Sequence, residues 1–226
     1  MLYITGDTHG EQERWRNPAY GIEGCLGAGD TVIVCGDFKY IFDDEDRDRE
    51  EAFLDELAEK PYGILFCDGN HENFPRLNAY PEEVWKEGRV HRIRPNIRHL
   101  MRGQVYEIEG KRFFVMGGGC SFGDNPPLIE GRSWWPAESP SVEEYREAKR
   151  NLEKCGYQVD YIVTHTAPYE TMRVAAPDYK ADSLNHFLDC IQENVAYGHW
   201  YMGHLHLDMD LWRRQTVLYY QVRRLS

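Results

Sequence analysis

Apolar residues along this 226-residue chain fall into short unbroken runs, each closed by glycine or a polar residue. Residues 2–5 (LYIT), 31–35 (TVIVC), 63–67 (GILFC) and 159–163 (VDYIV) are such runs. Continuous runs of this length suit strands buried on both faces, as in parallel sheets. Between the second and third, residues 43–60 begin acidic, as a helix N-terminus prefers, and place Phe53, Leu54 and Leu57 on one face before Pro61. That segment reads as a helix and makes a βαβ unit. Residues 103–118 read as a hairpin turning at Gly110, with FFVM as its return strand. Ser141 opens SVEE, a capping-box pattern, and predicts a helix to about Gly156. A second helix is expected over 182–194, a strand over 199–202, and a last hairpin in MDLWRRQTVLYYQV. Residues 119–140 are rich in Gly, Pro and Trp and read as a loop or small insertion. Alternating strands and helices with two hairpins predict an α/β sandwich, a single domain over residues 1–226.

Composition adds bounds. The chain is 42% apolar and 28% charged, ordinary for a globular protein. No run approaches the ~18 apolar residues of a membrane span. Residues 1–5 enter a strand directly, with no basic segment or apolar core of a signal peptide. Six cysteines form no CxxC pair, and Cys35 and Cys67 lie inside strand-like runs. This pattern implies reduced thiols and a cytoplasmic setting rather than a disulfide framework. The formal net charge of −12 argues against long nucleic acid as partner. It does not exclude a small phosphorylated substrate, because bound cations would reverse the local charge.

The chemistry sits at the strand ends. Asp7 and His9 follow the first strand in GDTHG, and Asp37 follows the second in GDFK. Asn70 and His71 follow the third in GNHE, His165 follows the next in VTHTAP, and His204 and His206 close GHLH. In open α/β sheets the carboxyl ends of strands are where ligands bind. Asp-x-His and His-x-His place two donors on one side of an extended chain. Oxygen and imidazole donors without thiolate suit Mn²⁺, Fe or Zn²⁺. Seven such side chains are too many for one ion and about right for two, with Asp37 as the bridging carboxylate. Asn70 adds a neutral oxygen and limits the anionic charge.

These five motifs, in this order across residues 5–206, resemble the signature of the calcineurin-like metallophosphoesterases. The resemblance implies a four-layer α/β/β/α sandwich. It implies one metal held by Asp7, His9, Asp37 and His206, and another by Asp37, Asn70, His165 and His204. His71 is then no ligand but lies near the leaving-group oxygen, and Asn70 and His71 contact substrate. The expected reaction is hydrolysis of a phosphomonoester or phosphodiester by a hydroxide held between two metals, most simply Mn²⁺, with His71 assisting the leaving group. One departure separates the chain from the protein serine/threonine phosphatase branch, whose second motif continues GDxxDRG. Here Tyr40 and Ile41 replace the Asp that would orient the histidine and the Arg that would grip phosphate. Lys39 is a substitute source of positive charge.

Other features compete for a role. Residues 89–102 carry five arginines and two histidines without an acid. They read either as an anion-binding patch or as a solvated strand and loop. Trp134 and Trp135 either stack a ring at the site mouth or pin the 119–140 loop, and Arg132 lies beside them. The acidic run 43–51 reads as a solvated helix start, and His91, His99, His186 and His199 as surface or satisfied residues. Alternative functions are a nucleotide phosphodiesterase or nuclease, and a non-catalytic interaction module on the same fold. No membrane partner is expected, and a protein partner is not specified.

Overall fold

In the computed structural model, which describes residues 1–17, 19–122 and 127–225, the apolar runs pair into two mixed sheets. The first is built on β1 (Leu2–Thr5), β2 (Thr31–Val34) and β3 (Gly63–Phe66), all parallel. It extends on one side through β6 (Ile97–Leu100), β5 (Gly88–Arg94) and β4 (Glu82–Trp85), and on the other ends in β13 (Arg223–Arg224). The second sheet runs β11 (Met209–Leu211), β12 (Gln215–Val217), β10 (Ala196–Met202), β9 (Gln158–Thr164), β8 (Lys111–Met116) and β7 (Gln104–Ile108). Its four inner strands are parallel, flanked by the two antiparallel hairpin arms.

Strand alternation divides the interior into three apolar layers. Ile4, Ile33 and Leu65 of the first sheet meet Phe113, Val115 and Val163 of the second. Behind the first sheet, Val32, Val34 and Ile64 pack on α1 (Glu13–Arg16) and α2 (Arg47–Ala58) through Trp15, Leu54 and Leu57. Behind the second, Phe114 and Ile162 pack on α4 (Val142–Lys154), α5 (Tyr169–Ala175) and α6 (Ser183–Asn194). A short α3 (Phe74–Leu77) follows β3. The result is the expected four-layer α/β/β/α sandwich. Among the described residues, no helix is long and apolar enough to cross a membrane.

Local chemistry moved some boundaries. α2 begins at Arg47 rather than at residue 43. The Glu50 carboxylate accepts from the amides of Phe42 and Asp43, and Asp43 accepts from that of Glu45. Those bonds hold 42–45 as a loop, in competition with helix. The capping box at Ser141 forms as predicted, with Glu144 N–H donating to Ser141 Oγ. Residues 123–126, inside the expected 119–140 insertion, lie outside the described residues.

The basic segment 89–102 is a third hairpin, β5–β6, and its arginines are occupied. Arg89 pairs with Glu82 and Glu147, Arg92 and Arg98 with Glu83, and Arg94 with Glu51 and Asp55. Arg102 is buried against Asp68, its Nε 2.8 Å from Oδ2. His91 and His99 stack face to face, and His99 Nε2 lies 3.0 Å from Asp68 Oδ1. The segment balances acidic neighbours; it presents no free cationic patch among the described residues.

Burial by itself would raise the Asp68 pKa, but Arg102 and His99 reverse that and hold the carboxyl below its usual range. Its contribution to stability is therefore present above the ordinary carboxylate pKa and lost as pH falls. Arg102→Met leaves a buried carboxylate without its cation and is expected to cost about 3–5 kcal/mol at neutral pH. Urea denaturation of both proteins across pH should show the gap closing in acid, as Asp68 takes up a proton.

Candidate metal centre

Five strands end at one edge of the sandwich, and each delivers a predicted donor. β1 leads to Asp7 and His9, β2 to Asp37, β3 to Asn70 and His71, β9 to His165, and β10 to His204 and His206. The two sheets are stitched there directly. His165 Nδ1 lies 2.9 Å from the carbonyl oxygen of Cys35, across from β9 to β2. The His204 amide donates to both oxygens of Asp7, at 3.0 and 3.1 Å, across from β10 to β1.

The hydrogen bond to Cys35 decides what the His165 ring offers. A carbonyl only accepts, so Nδ1 carries the proton, and in the neutral ring Nε2 presents a lone pair. That nitrogen lies 3.1 Å from Asn70 Oδ1 and 3.4 Å from Asp37 Oδ1. In that form three acceptors face one another. On the other side, Nε2 of His9 and Nε2 of His206 stand 2.8 Å apart. They lie 3.6 and 3.3 Å from Asp7 Oδ2, and His9 Nε2 lies 3.8 Å from Asp37 Oδ2. Among the described residues, three donor groups could hold an ion: Asp7–His9–His206, Asp7–Asp37–His165 and His9–Asp37–His71. Convergent acceptors, two of them buried carboxylates, fit divalent cations of the Mn, Fe or Zn kind.

Protonation follows the same logic. Burial would raise the Asp7 pKa, but His206, His9 and His165 outweigh it and keep the carboxylate ionised. Asp37 is held low in the same way, chiefly by His165 and His71 against the cost of burial. Burial pushes His204 down to about 3 and His71 down to about 4, which leaves both rings neutral. The hydrogen bond to Asp7 raises His206 instead. Anionic carboxylates and neutral imidazoles are the forms that bind metal.

The backbone here is strained. His9, Asp37, His204 and His206 have φ of 49°, 47°, 65° and 51°, in the left-handed region that costs L-residues about 1–2 kcal/mol each. Such strain gathers where function needs it. The amides of Thr8 and His9 both donate to the Asp37 carbonyl and help hold these turns. The motif glycines serve close approach as much as turning. A Cβ on Gly36 would enter the His165 ring, and one on Gly203 would meet Asp7 Oδ1 and the Cys35 carbonyl.

His204 stands beside His165, ring centroids 4.6 Å apart, but belongs to none of the three donor groups. His71 does belong to one, so it lies within ligand reach although the resemblance makes it a non-ligand. Its Nδ1 is buried and has no hydrogen-bond partner among the described residues. Lys39 lines a cavity of about 240 Å³ together with His9 and Phe42, and its Nζ sits 4.7 Å from the centre of the Phe42 ring. Tyr40 turns into the core, where its hydroxyl accepts from Trp15 and donates to the Glu11 carbonyl. Trp135 is buried edge-on to Phe42, whose own ring meets His71 at 5.8 Å, so it packs against that wall, and it also lines a cavity of about 830 Å³ with Asn73, Arg76 and Glu130. Arg132 pairs with Glu45 at the surface.

Sequence reasoning missed several residues here. Glu72, inside the quoted GNHE, is fully buried and accepts from the amides of Phe38, Lys39 and Gly69. It ties the second motif to the third; its burial beside an apolar run was the available signal. Tyr219 stacks on His206 at 4.7 Å and 15°, and Tyr179 meets His204 edge-on at 5.0 Å. Nothing local marks either tyrosine.

A two-sheet sandwich with carboxylates and imidazoles gathered at its strand ends has the donor set of a candidate metal centre. The chain belongs to the calcineurin-like phosphoesterase family, whose model matches residues 2–208. It is thus a member of a family of metal-dependent phosphoester hydrolases. No curated protein matches the chain.

Gly203→Ala should displace the Asp7 carboxylate. The expected result is a loss of about 10–100-fold in Mn²⁺ affinity, the range seen when a ligand's support is disturbed. Calorimetric titration with Mn²⁺ measures it; an unchanged isotherm would show that the β1 and β10 loops tolerate separation.

Proposed function

We propose that this protein is a dinuclear metal-dependent phosphoesterase acting on small phosphorylated substrates. The observation that carries the reading is the placement of Asp37. Its Oδ1 faces His165 Nε2 at 3.4 Å, and its Oδ2 faces His9 Nε2 at 3.8 Å. One carboxylate thus turns an oxygen toward each of two donor sets, as a bridging ligand must. Asp7, His9, Asp37 and His206 would hold one ion, and Asp37, Asn70, His165 and His204 the other. Two divalent ions, Mn²⁺ in the first instance with Fe or Zn²⁺ as alternatives, supply when bound Lewis acidity and a lowered pKa for water.

The remaining chemistry belongs to the chain. Asn70 and His71 face the substrate from the β3 loop. The His71 amide donates to Asp37 Oδ1 at 2.9 Å, which ties the ring's position to the bridging carboxylate. The ring itself lies 5.5 Å from that of His9 and edge-on to Phe42, where an N–H can meet the leaving oxygen of an ester. The ion-paired arginines of β5–β6 and the net charge of −12 favour a small substrate over a nucleic acid. Six free cysteines, two of them fully buried, suit a reducing, cytoplasmic setting.

The direct test is hydrolysis of a chromogenic phosphomonoester and the matching diester, with Mn²⁺ and after chelation. Activity on at least one, lost with the chelator, is expected; diester-only activity would define a phosphodiesterase. Inactivity on both with Mn²⁺ bound would move the protein to the non-catalytic alternative. His71→Ala should lower turnover at least about 100-fold while both ions stay bound. Loss of an ion on that change would make His71 a ligand.

A further inference from the structure

The metal-site reading leaves one question about Asn70. An amide has an accepting end and a donating end, and only Oδ1 can face a cation. Rotation by half a turn would present NH₂ to the ion and abolish ligation. Something must fix the rotation, and the third motif contains nothing that does so.

The fixing group comes from the second sheet. Asn70 Nδ2 donates to Ser121 Oγ at 3.1 Å, on the segment that leaves β8. That segment passes close beneath the amide: a Cβ on Gly119 would lie 3.1 Å from Asn70 Oδ1. Ser121 is in turn held by Glu138. The Ser121 amide donates to Glu138 Oε2 at 2.9 Å. With Ser121 Oγ accepting from Nδ2, the NH₂ end of the Asn70 amide is on the Ser121 side and Oδ1 is left facing His165 Nε2 at 3.1 Å.

Glu138 is itself immobilised. It is 3% exposed, and its Oε1 accepts from the Trp135 amide at 3.2 Å. Its carbonyl accepts from the Gly119 amide and from Arg102 Nη2, both at 3.1 Å. Arg102 also binds Asp68, two residues before Asn70, so the hydrogen bonds close a circuit back onto the β3 loop. The buried Trp135 anchors this strap against Phe42.

We propose that Ser121, whose backbone Glu138 holds in place, is a positioning residue that keeps the Asn70 amide with Oδ1 toward the second ion, and that the Trp-Trp-Pro segment carries this support. The proposal rests on the dinuclear reading. Its test is Mn²⁺ binding to the metal-free protein, followed by calorimetry and by the electron paramagnetic resonance of free Mn²⁺. Wild type should bind two ions. Ser121→Ala should lose about 10–100-fold in affinity for one of them and keep the other. Ser121→Thr, which retains the hydroxyl, should restore the loss. In an Asn70→Asp background there is no amide to orient, so adding Ser121→Ala should change little. Equal weakening of both sites, no rescue by threonine, or the full loss persisting beside Asn70→Asp would overturn the positioning role. Wild type binding fewer than two ions would instead overturn the dinuclear reading, and this proposal with it.

Discussion

The site depends on one hydrogen bond between the sheets, from His165 Nδ1 to the Cys35 carbonyl. It joins the end of β9 to the end of β2, and it fixes the face of the imidazole that looks inward. The neighbouring contacts extend it into a ring of strand ends. The Gly203 amide donates to the His165 carbonyl, bringing β10 alongside β9. The His204 amide then donates to Asp7, which closes the ring onto β1. The apolar interior drives the sheets together, but burial is non-directional and would tolerate small slips. Directional bonds at the rim convert a general collapse into one register.

That register explains why left-handed backbone is tolerated here. Four of the predicted donors stand at positive φ, each at a cost that local sequence does not offset. The offset comes from partners brought in by the other strands: the Asp37 carbonyl holds the amides of Thr8 and His9, and Glu72 holds those of Phe38 and Lys39. Asp37 is therefore framed by backbone on both sides. The electrostatics point the same way. Glu72 lies buried near Asp37 and Asp68, and burial with those two charges raises its pKa well above normal. The amides of Phe38, Lys39 and Gly69 that donate to Glu72 work against that rise.

Most of this was legible in the sequence where the signal was local. Unbroken apolar runs closed by Gly-Asp or Gly-Asn mark both a buried parallel strand and the donor that follows it. The sandwich, and the gathering of the seven candidate donors at one edge, could be read that way. What escaped depended on partners distant in the chain. Arg89 meets Glu147 and Arg94 meets Glu51, so the basic look of 89–102 was no guide to its surroundings. β4, with sequence EEVW, has no strand-like alternation strong enough to find alone; its pairing with β5 makes it a strand. Tyr219 reaches His206 through the fold of the last loop, with no motif to announce it.

The replacement at Tyr40 shows how the same loop can be rebuilt on a different principle. In the GDxxDRG pattern a carboxylate at that position would orient the catalytic histidine by charge. Here Tyr40 joins Trp15 and Phe38 in the core, and Ile41 is buried beside it. The loop is thereby secured by packing, and His71 loses a polar partner. Its Nδ1 is buried with no partner among the described residues, while the ring meets those of Phe42 and His9 in T-shaped contacts at 5.8 and 5.5 Å. Orientation of His71 then comes from its backbone bond to Asp37 and from the aromatic wall that Trp135 supports. A ring held by shape rather than by a carboxylate gains no charge from its support. On the proposed reading, the positive charge offered to a phosphoryl group would come from bound ions and from Lys39, which lies over the same wall.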